Sequence, residues 1–201
     1  MSLHVFFDPL LYTFVFLGLF TPGPNVIMLT ASGVRFGFRR TLPHLFGVVL
    51  GVGITAGVTA MGVGAAVQAS SLLNLILRLG AAGFILWMAI GLWKASGRPR
   101  AAGDADAKPL TFLGAILFQW INPKVWAIAF AASAGYGAGQ VAWFEAARLA
   151  TAFSSVNLGV CLFWTAAGSL LTALLSAPRA WKIFLRVMAV LLALTTLMIF
   201  R

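Results

Sequence analysis

Two short stretches in an otherwise apolar chain hold the residues that could do chemistry: Thr21-Pro22-Gly23-Pro24-Asn25 and Asn122-Pro123-Lys124. A proline lacks the N–H of a helical residue, and its ring clashes with the carbonyl four positions back. Pro22 and Pro24 therefore free the carbonyls of Gly18 and Phe20, and Pro123 frees that of Gln119. Gly23 adds conformational freedom at the first break. Pro24 and Asn25 are good helix-starting residues, so the segment after them would turn free N–H groups and a positive dipole end toward an anion such as a carboxylate. Lys124 sets an ammonium deep in an apolar run, where insertion scales charge about 2.5–3.5 kcal/mol for it. The four acids, Asp8, Asp104, Asp106 and Glu145, fall near the ends of apolar runs or between them. The ammonium must then be met by freed carbonyls, by water or by an arriving carboxylate. Asn122 either satisfies loose backbone at its break or contacts the same ligand. This chemistry is recognition of a zwitterion, with no bond made or broken. No HExxH motif, paired buried aspartates or nucleophile–base pair points to an enzyme, and no metal or cofactor is implied.

The elements that must position these residues follow from composition. Of 201 residues, 61% are apolar and 9% charged, against about 45–50% and about 25% in soluble domains. Eighteen charged side chains cannot cover so much apolar surface in water. Soluble enzyme, nucleic-acid binder and disordered chain are excluded; the chain belongs in a lipid bilayer. Six apolar segments are expected as helices, at about 5–34, 43–66, 72–93, 111–133, 147–175 and 181–200. The first is longer than a signal-peptide core and lacks a basic leader, so it is read as a retained helix. The lone cysteine, Cys161, lies within an apolar stretch and offers no disulfide framework.

The net charge of +10 sits between the apolar runs. Arg35, Arg39 and Arg40 fall in the first loop, Lys94, Arg98, Arg100 and Lys108 in the third, and Arg179, Lys182 and Arg186 at the fifth. Only Arg78, Arg148 and Arg201 lie on the other side. Basic loops stay cytoplasmic, which places both termini outside. A polar linker, 97–109, divides the single transmembrane domain 1–201 into repeat one (1–96) and repeat two (110–201). Three spans per half would enter the membrane from opposite sides. The predicted fold is therefore an all-α membrane protein of six transmembrane helices, two inverted three-helix repeats with broken first and fourth helices. Pro24 and Pro123 are 99 residues apart, about half the chain. Pro22 and Pro123 each lie 12 residues from the cytoplasmic end of their expected spans, so the breaks reach similar depth.

Other residues carry lesser expectations. Asn157, in the fifth span, either bonds between helices or contacts substrate. His44, at the start of the second span near the cytoplasmic surface, and Asp8, the acid that opens the first span, are the candidates for proton or ion coupling. Arg78 would snorkel to the outer interface. Gly47-xxx-Gly51 and Gly53-xxx-Gly57 permit close helix approach, within the monomer or between subunits. Trp87 and Trp93 suit packing or an interfacial belt; Trp120 and Trp126 flank the second break and line a pathway or face lipid.

Pro22-Gly23-Pro24-Asn25 and Asn122-Pro123-Lys124 resemble the paired signatures of the lysine exporter/homoserine–threonine resistance (LysE/RhtB) family. Arg35-x-Gly37 and the Gly47/Gly51 spacing resemble it too, and the likeness covers nearly the whole chain. The resemblance implies an exporter of amino acids or close derivatives in the bacterial cytoplasmic membrane, driven by a proton or cation gradient, with the two motifs shaping the substrate path. With no acid near the breaks, a neutral, zwitterionic substrate is expected ahead of lysine or arginine. The expected site comprises Pro22, Gly23, Pro24, Asn25, Asn122, Pro123, Lys124 and Asn157, worked by alternating access. A homodimer is the expected assembly, with no nucleic-acid partner. The alternative is a non-transport membrane subunit or assembly factor, in which the breaks only dock a partner.

Overall fold

The computed structural model describes residues 6–21, 23–62, 71–97, 108–174, 177–194 and 196. Pro22, Arg98, Arg100, Asp104, Asp106 and Arg201 lie outside them. The described residues form helices and no strand: α1 (Pro9–Phe20), α2 (Pro24–Phe36), α3 (Phe38–Ala60), α4 (Ser71–Ser96), α5 (Phe112–Ile121), α6 (Pro123–Gly135), α7 (Ala142–Leu174) and α8 (Pro178–Leu194). Both expected breaks are present. The axes bend by 59° between α1 and α2 and by 65° between α5 and α6. Two helices, α3 and the Ala142–Leu171 part of α7, are long and apolar enough to cross a membrane, and counting each bent pair as one span makes four. The third and sixth expected segments carry α4 and α8, which do not meet that criterion among the described residues.

α3 and α7 are the centre of the molecule, with α2 and α1 against α7 and α5 against α3. α4 packs chiefly on α8. Lipid removes most of the hydrophobic drive for helix association, so these contacts depend on close fit, and small residues supply it. A Cβ on Gly47 would strike the Phe112 carbonyl, and one on Gly51 would lie 2.7 Å from Gln119 Cγ; both press α3 onto α5. On another face of α3, a Cβ at Gly53 would strike Ser154 Oγ, and one at Gly57 would lie 3.2 Å from the Ala146 carbonyl of α7. Both glycine pairs thus serve contacts within the chain. Gly37 separates α2 from α3 in one residue at φ +81°, a left-handed conformation that glycine adopts without steric cost.

The ends of the helices sort as an up-and-down bundle. Val34 of α2, Leu92 and Ala95 of α4, Leu171 of α7 and Trp181 and Leu185 of α8 pack together, which gathers the basic clusters around Arg35, Lys94 and Lys182 at one end. There Arg35 lies 5.1 Å from the Phe36 ring centroid, and Arg186 lies 4.8 Å from that of Trp93. At the opposite end Arg148 meets Asp8 at 3.4 Å and Glu145 at 3.1 Å. Arg148 was expected on the outer side, at the second position of the fifth span. α7 instead begins at Ala142 and carries Arg148 inside, 2% exposed, because two carboxylates and the Tyr136 carbonyl (2.7 Å) collect its guanidinium.

Candidate functional site

The two breaks meet. Asn25, in the first turn of α2, and Gln119, near the end of α5, exchange amide hydrogen bonds although they are 94 positions apart. Asn25 Nδ2 donates to Gln119 Oε1 at 2.8 Å, and Gln119 Nε2 donates back to Asn25 Oδ1 at 3.2 Å. Gln119 is fully buried, and its Nε2 also donates to the Ala115 carbonyl at 2.9 Å. Asn122 Nδ2 donates to Gln119 Oε1 at 3.4 Å. Gln119 is the residue that sequence reasoning missed. A polar side chain one turn before Asn122 in an apolar helix was the available signal, since intramembrane amides rarely go unpaired.

Each break also satisfies its own backbone. Thr21 Oγ1 donates to the Gly18 carbonyl at 2.8 Å, one of the groups that proline had freed. The Asn122 N–H donates to the Gln119 carbonyl at 3.2 Å, and Asn122 Oδ1 accepts from the Lys124 N–H at 3.2 Å, capping α6. The Trp126 indole Nε1 donates to the Trp120 carbonyl at 2.9 Å. That bond accounts for the two tryptophans at the break: they close the outer side of the bend, rings 6.0 Å apart, and do not line the cleft.

Lys124 is half-buried and reaches across to the end of α1. Its Nζ donates to the Thr21 carbonyl and, at 2.9 Å, to Thr21 Oγ1. A cation at a helix C-terminus is favoured by the carbonyls and dipole there. Its stem lies over Gly23, where a Cβ would come within 2.7 Å of Lys124 Cδ and 3.0 Å of Nζ. A side chain at position 23 would push the Lys124 stem aside and disturb its reach to Thr21. An ammonium has three N–H donors, and Thr21 engages two of them.

Beside this junction lies a narrow cleft with a free volume of about 10 Å³, room for about one water, lined among others by Gly23, Asn25, Asn122, Lys124 and Asn157. α2 starts at its wall without a side-chain cap, so the positive end of that helix and the Lys124 ammonium share one space. No Asp or Glu among the described residues lines it. Of the residues expected from sequence, Gly23, Asn25, Asn122, Lys124 and Asn157 line the cleft, and Pro24 and Pro123 start the helices beside it.

The two coupling candidates are elsewhere. Asp8 caps α1 by accepting the Leu10 N–H at 2.9 Å, and it pairs with Arg148. His44 was expected near the surface; it is 2% exposed, because α3 starts at Phe38, nearly two turns before it. Neither ring nitrogen of His44 has a hydrogen-bond partner among the described residues. No cluster of three or more metal-ligating side chains occurs among the described residues.

Comparison with known proteins accords with this geometry. Over 113 residues, 56% of each chain, the protein is 31% identical to a cysteine/O-acetylserine efflux protein of Klebsiella pneumoniae subsp. pneumoniae. It is equally similar, over 115 residues and 57% of each chain, to the efflux proteins of the same description in Escherichia coli K12 and Salmonella typhimurium. The match spans little more than half the length of these relatives. No solved structure matches the chain. Residues 16–200 match the family described as LysE type translocator. The chain belongs to the LysE type translocator family.

Proposed function

We propose that the protein exports neutral, zwitterionic amino acids or close derivatives from the cytoplasm by secondary active transport, through alternating access around the cleft between its two breaks. The family and its efflux relatives support amino-acid export. One observation carries the substrate class: a cleft that joins an uncapped helix N-terminus and an ammonium, with no carboxylate among the described residues on its walls. The substrate carboxylate takes the third donor of Lys124 and the start of α2. Its amine finds carbonyl oxygen at the breaks and the Asn122 side chain. A lysine substrate would bring a second cation. Two unit charges about 5 Å apart at an effective dielectric near 20 repel by roughly 3 kcal/mol, enough to discriminate about a hundredfold.

In this reading six spans form two inverted halves in the bacterial cytoplasmic membrane, with both termini outside and the basic end cytoplasmic, and the protein works as a homodimer. Of the two coupling candidates, His44 is the stronger, since its ring nitrogens are uncommitted while Asp8 is held by Arg148.

The test is efflux from proteoliposomes loaded with mixed amino acids under an imposed pH gradient, with Lys124→Ala beside wild type. Wild type should release neutral amino acids selectively. The variant, shown monodisperse by size exclusion, should lose at least about thirtyfold, corresponding to the roughly 2 kcal/mol of a charge-assisted contact. Saturable export of lysine without neutral amino acids would refute the substrate class.

A further inference from the structure

A second hydrogen-bonding pole lies in the cleft, on α7. Asn157, Val160, Cys161 and Trp164 are spaced i, i+3, i+4 and i+7, so they form one stripe along the helix, and all four line the cleft. Asn157 is 2% exposed. Its Oδ1 accepts from the Cys161 thiol at 3.5 Å, which leaves Nδ2 as the free end of the amide. Nδ2 is buried without a partner among the described residues, and so is the indole Nε1 of Trp164. Helical side chains lean toward the N-terminus of their helix, which is the Asn157 end of this stripe. Its ring is fixed from the other side by Phe20 and Phe163, each with centroids 5.4 Å away.

A buried donor with no acceptor has lost water without recompense, and two of them lining one cleft are unusual. The amide oxygens of Asn25 and Asn122 on the same walls each already accept one bond. Asn25 Oδ1 takes the Gln119 amide, and Asn122 Oδ1 takes the Lys124 N–H. The rest of the lining named for the cleft is apolar: Leu19, Val26, Leu29, Val125 and Val160. The cleft therefore offers more donors than acceptors, charged at the Lys124 end and neutral at the α7 end.

We infer that Asn157 Nδ2 and Trp164 Nε1 form a specificity subsite that reads an oxygen acceptor on the substrate side chain, an uncharged ester, amide carbonyl or hydroxyl. This rests on the export reading above, in which Lys124 and the start of α2 hold the carboxylate. A side chain ending in an ammonium finds no acceptor there, and a pure hydrocarbon leaves both donors unpaired. Discrimination against a substrate that lacks the expected hydrogen-bonding group is the stronger kind, because the site keeps its buried polar groups unsatisfied.

The experiment measures kcat/KM for efflux of O-acetylserine, glutamine and homoleucine from proteoliposomes. Homoleucine replaces the side-chain oxygens and nitrogen by carbon at nearly the same shape. Wild type should prefer the two oxygen-bearing substrates by about tenfold or more. Trp164→Phe keeps the ring between Phe20 and Phe163 and deletes only the N–H. It should lower efflux of both oxygen-bearing substrates about tenfold, leave homoleucine unchanged and bring the ratio near unity. Asn157→Leu should act in the same direction. A purely structural role would lower all three substrates together, and that result, or an unchanged ratio in both variants, overturns the subsite while leaving export standing. Failure of folded wild type to move any of the three overturns the export reading, and the subsite with it.

Discussion

Replacing Arg148 with methionine is expected to lower stability by about 3–5 kcal/mol, the range for removing one partner of a buried ion pair. The guanidinium is 2% exposed and holds Asp8, Glu145 and the Tyr136 carbonyl. It thereby ties the start of α1, the end of α6 and the first turns of α7 at one end of the bundle. Without it, Glu145 keeps the N–H groups of Ala138 (2.7 Å) and Gln140 (3.2 Å) but carries an uncompensated buried charge. The midpoint at which purified protein loses monodispersity on heating should fall by roughly 10 °C. Asp8→Asn should fall by less, since Asp8 is 29% exposed and its bond is the longer one at 3.4 Å. The diagnostic arm is the combination Asp8→Asn, Glu145→Gln, Arg148→Met, which removes all three charges together. It should regain much of the loss, because the cost lies in the orphaned carboxylates. A triple variant as unstable as Arg148→Met would mean that the arginine acts by packing alone.

Gly168→Val should be the most disruptive change at a helix interface. A Cβ at Gly168 would strike the carbonyl oxygen of Thr30, and reciprocally a Cβ at Gly33 would lie 2.5 Å from that of Thr165. These are backbone atoms, which cannot swing aside as the end of a side chain can. α2 and α7 would have to separate, at a cost above the roughly 1–3 kcal/mol of ordinary overpacking. α2 supplies Gly23, Asn25 and Val26 to the cleft or its edge, and α7 supplies Asn157 and Trp164. Separation at Gly168 therefore damages the site as well as the fold, and efflux should drop more than tenfold. Gly80→Val, on α4, is the control: nothing lies within 4 Å of its Cβ position. It should keep wild-type activity and a heating midpoint within a few degrees. Equal loss in both would show that helix conformational effects of valine, not the α2–α7 notch, are responsible.

What could be read from sequence, and what could not, divides along a physical line. Pro24 and Pro123 act on their own helices, so the two breaks were legible without any neighbour. The reciprocal bonds of Asn25 and Gln119 depend on how α2 and α5 are rotated against each other, and no pattern along one helix records that. Arg148 was placed at the outer start of the fifth span, but its pairing with Asp8, 140 positions away, is recorded in neither helix alone. His44 was misjudged by the position of a helix start, the least determinate feature of any sequence reading. The donor stripe on α7 was half visible. Asn157 stood out as polar in an apolar span, whereas Trp164 gave no signal among seven tryptophans until its nitrogen was found buried.

The way the second break satisfies itself bears on how this sequence can change in descent. The bend between α5 and α6 is held by the Asn122 cap, by the Asn122 N–H on the Gln119 carbonyl and by the Trp126 indole on the Trp120 carbonyl. Pro123 forbids the straight helix, but it makes none of those bonds. Selection for the elbow is thus shared among several side chains, and a lineage can lose the proline while Asn122 and Trp126 keep the bend. At the first break α2 has no side-chain cap, and a side chain at position 23 would displace the end of Lys124 from Thr21. Drift should accordingly be freer at Pro123 than at Gly23, so the two matched motifs need not age alike.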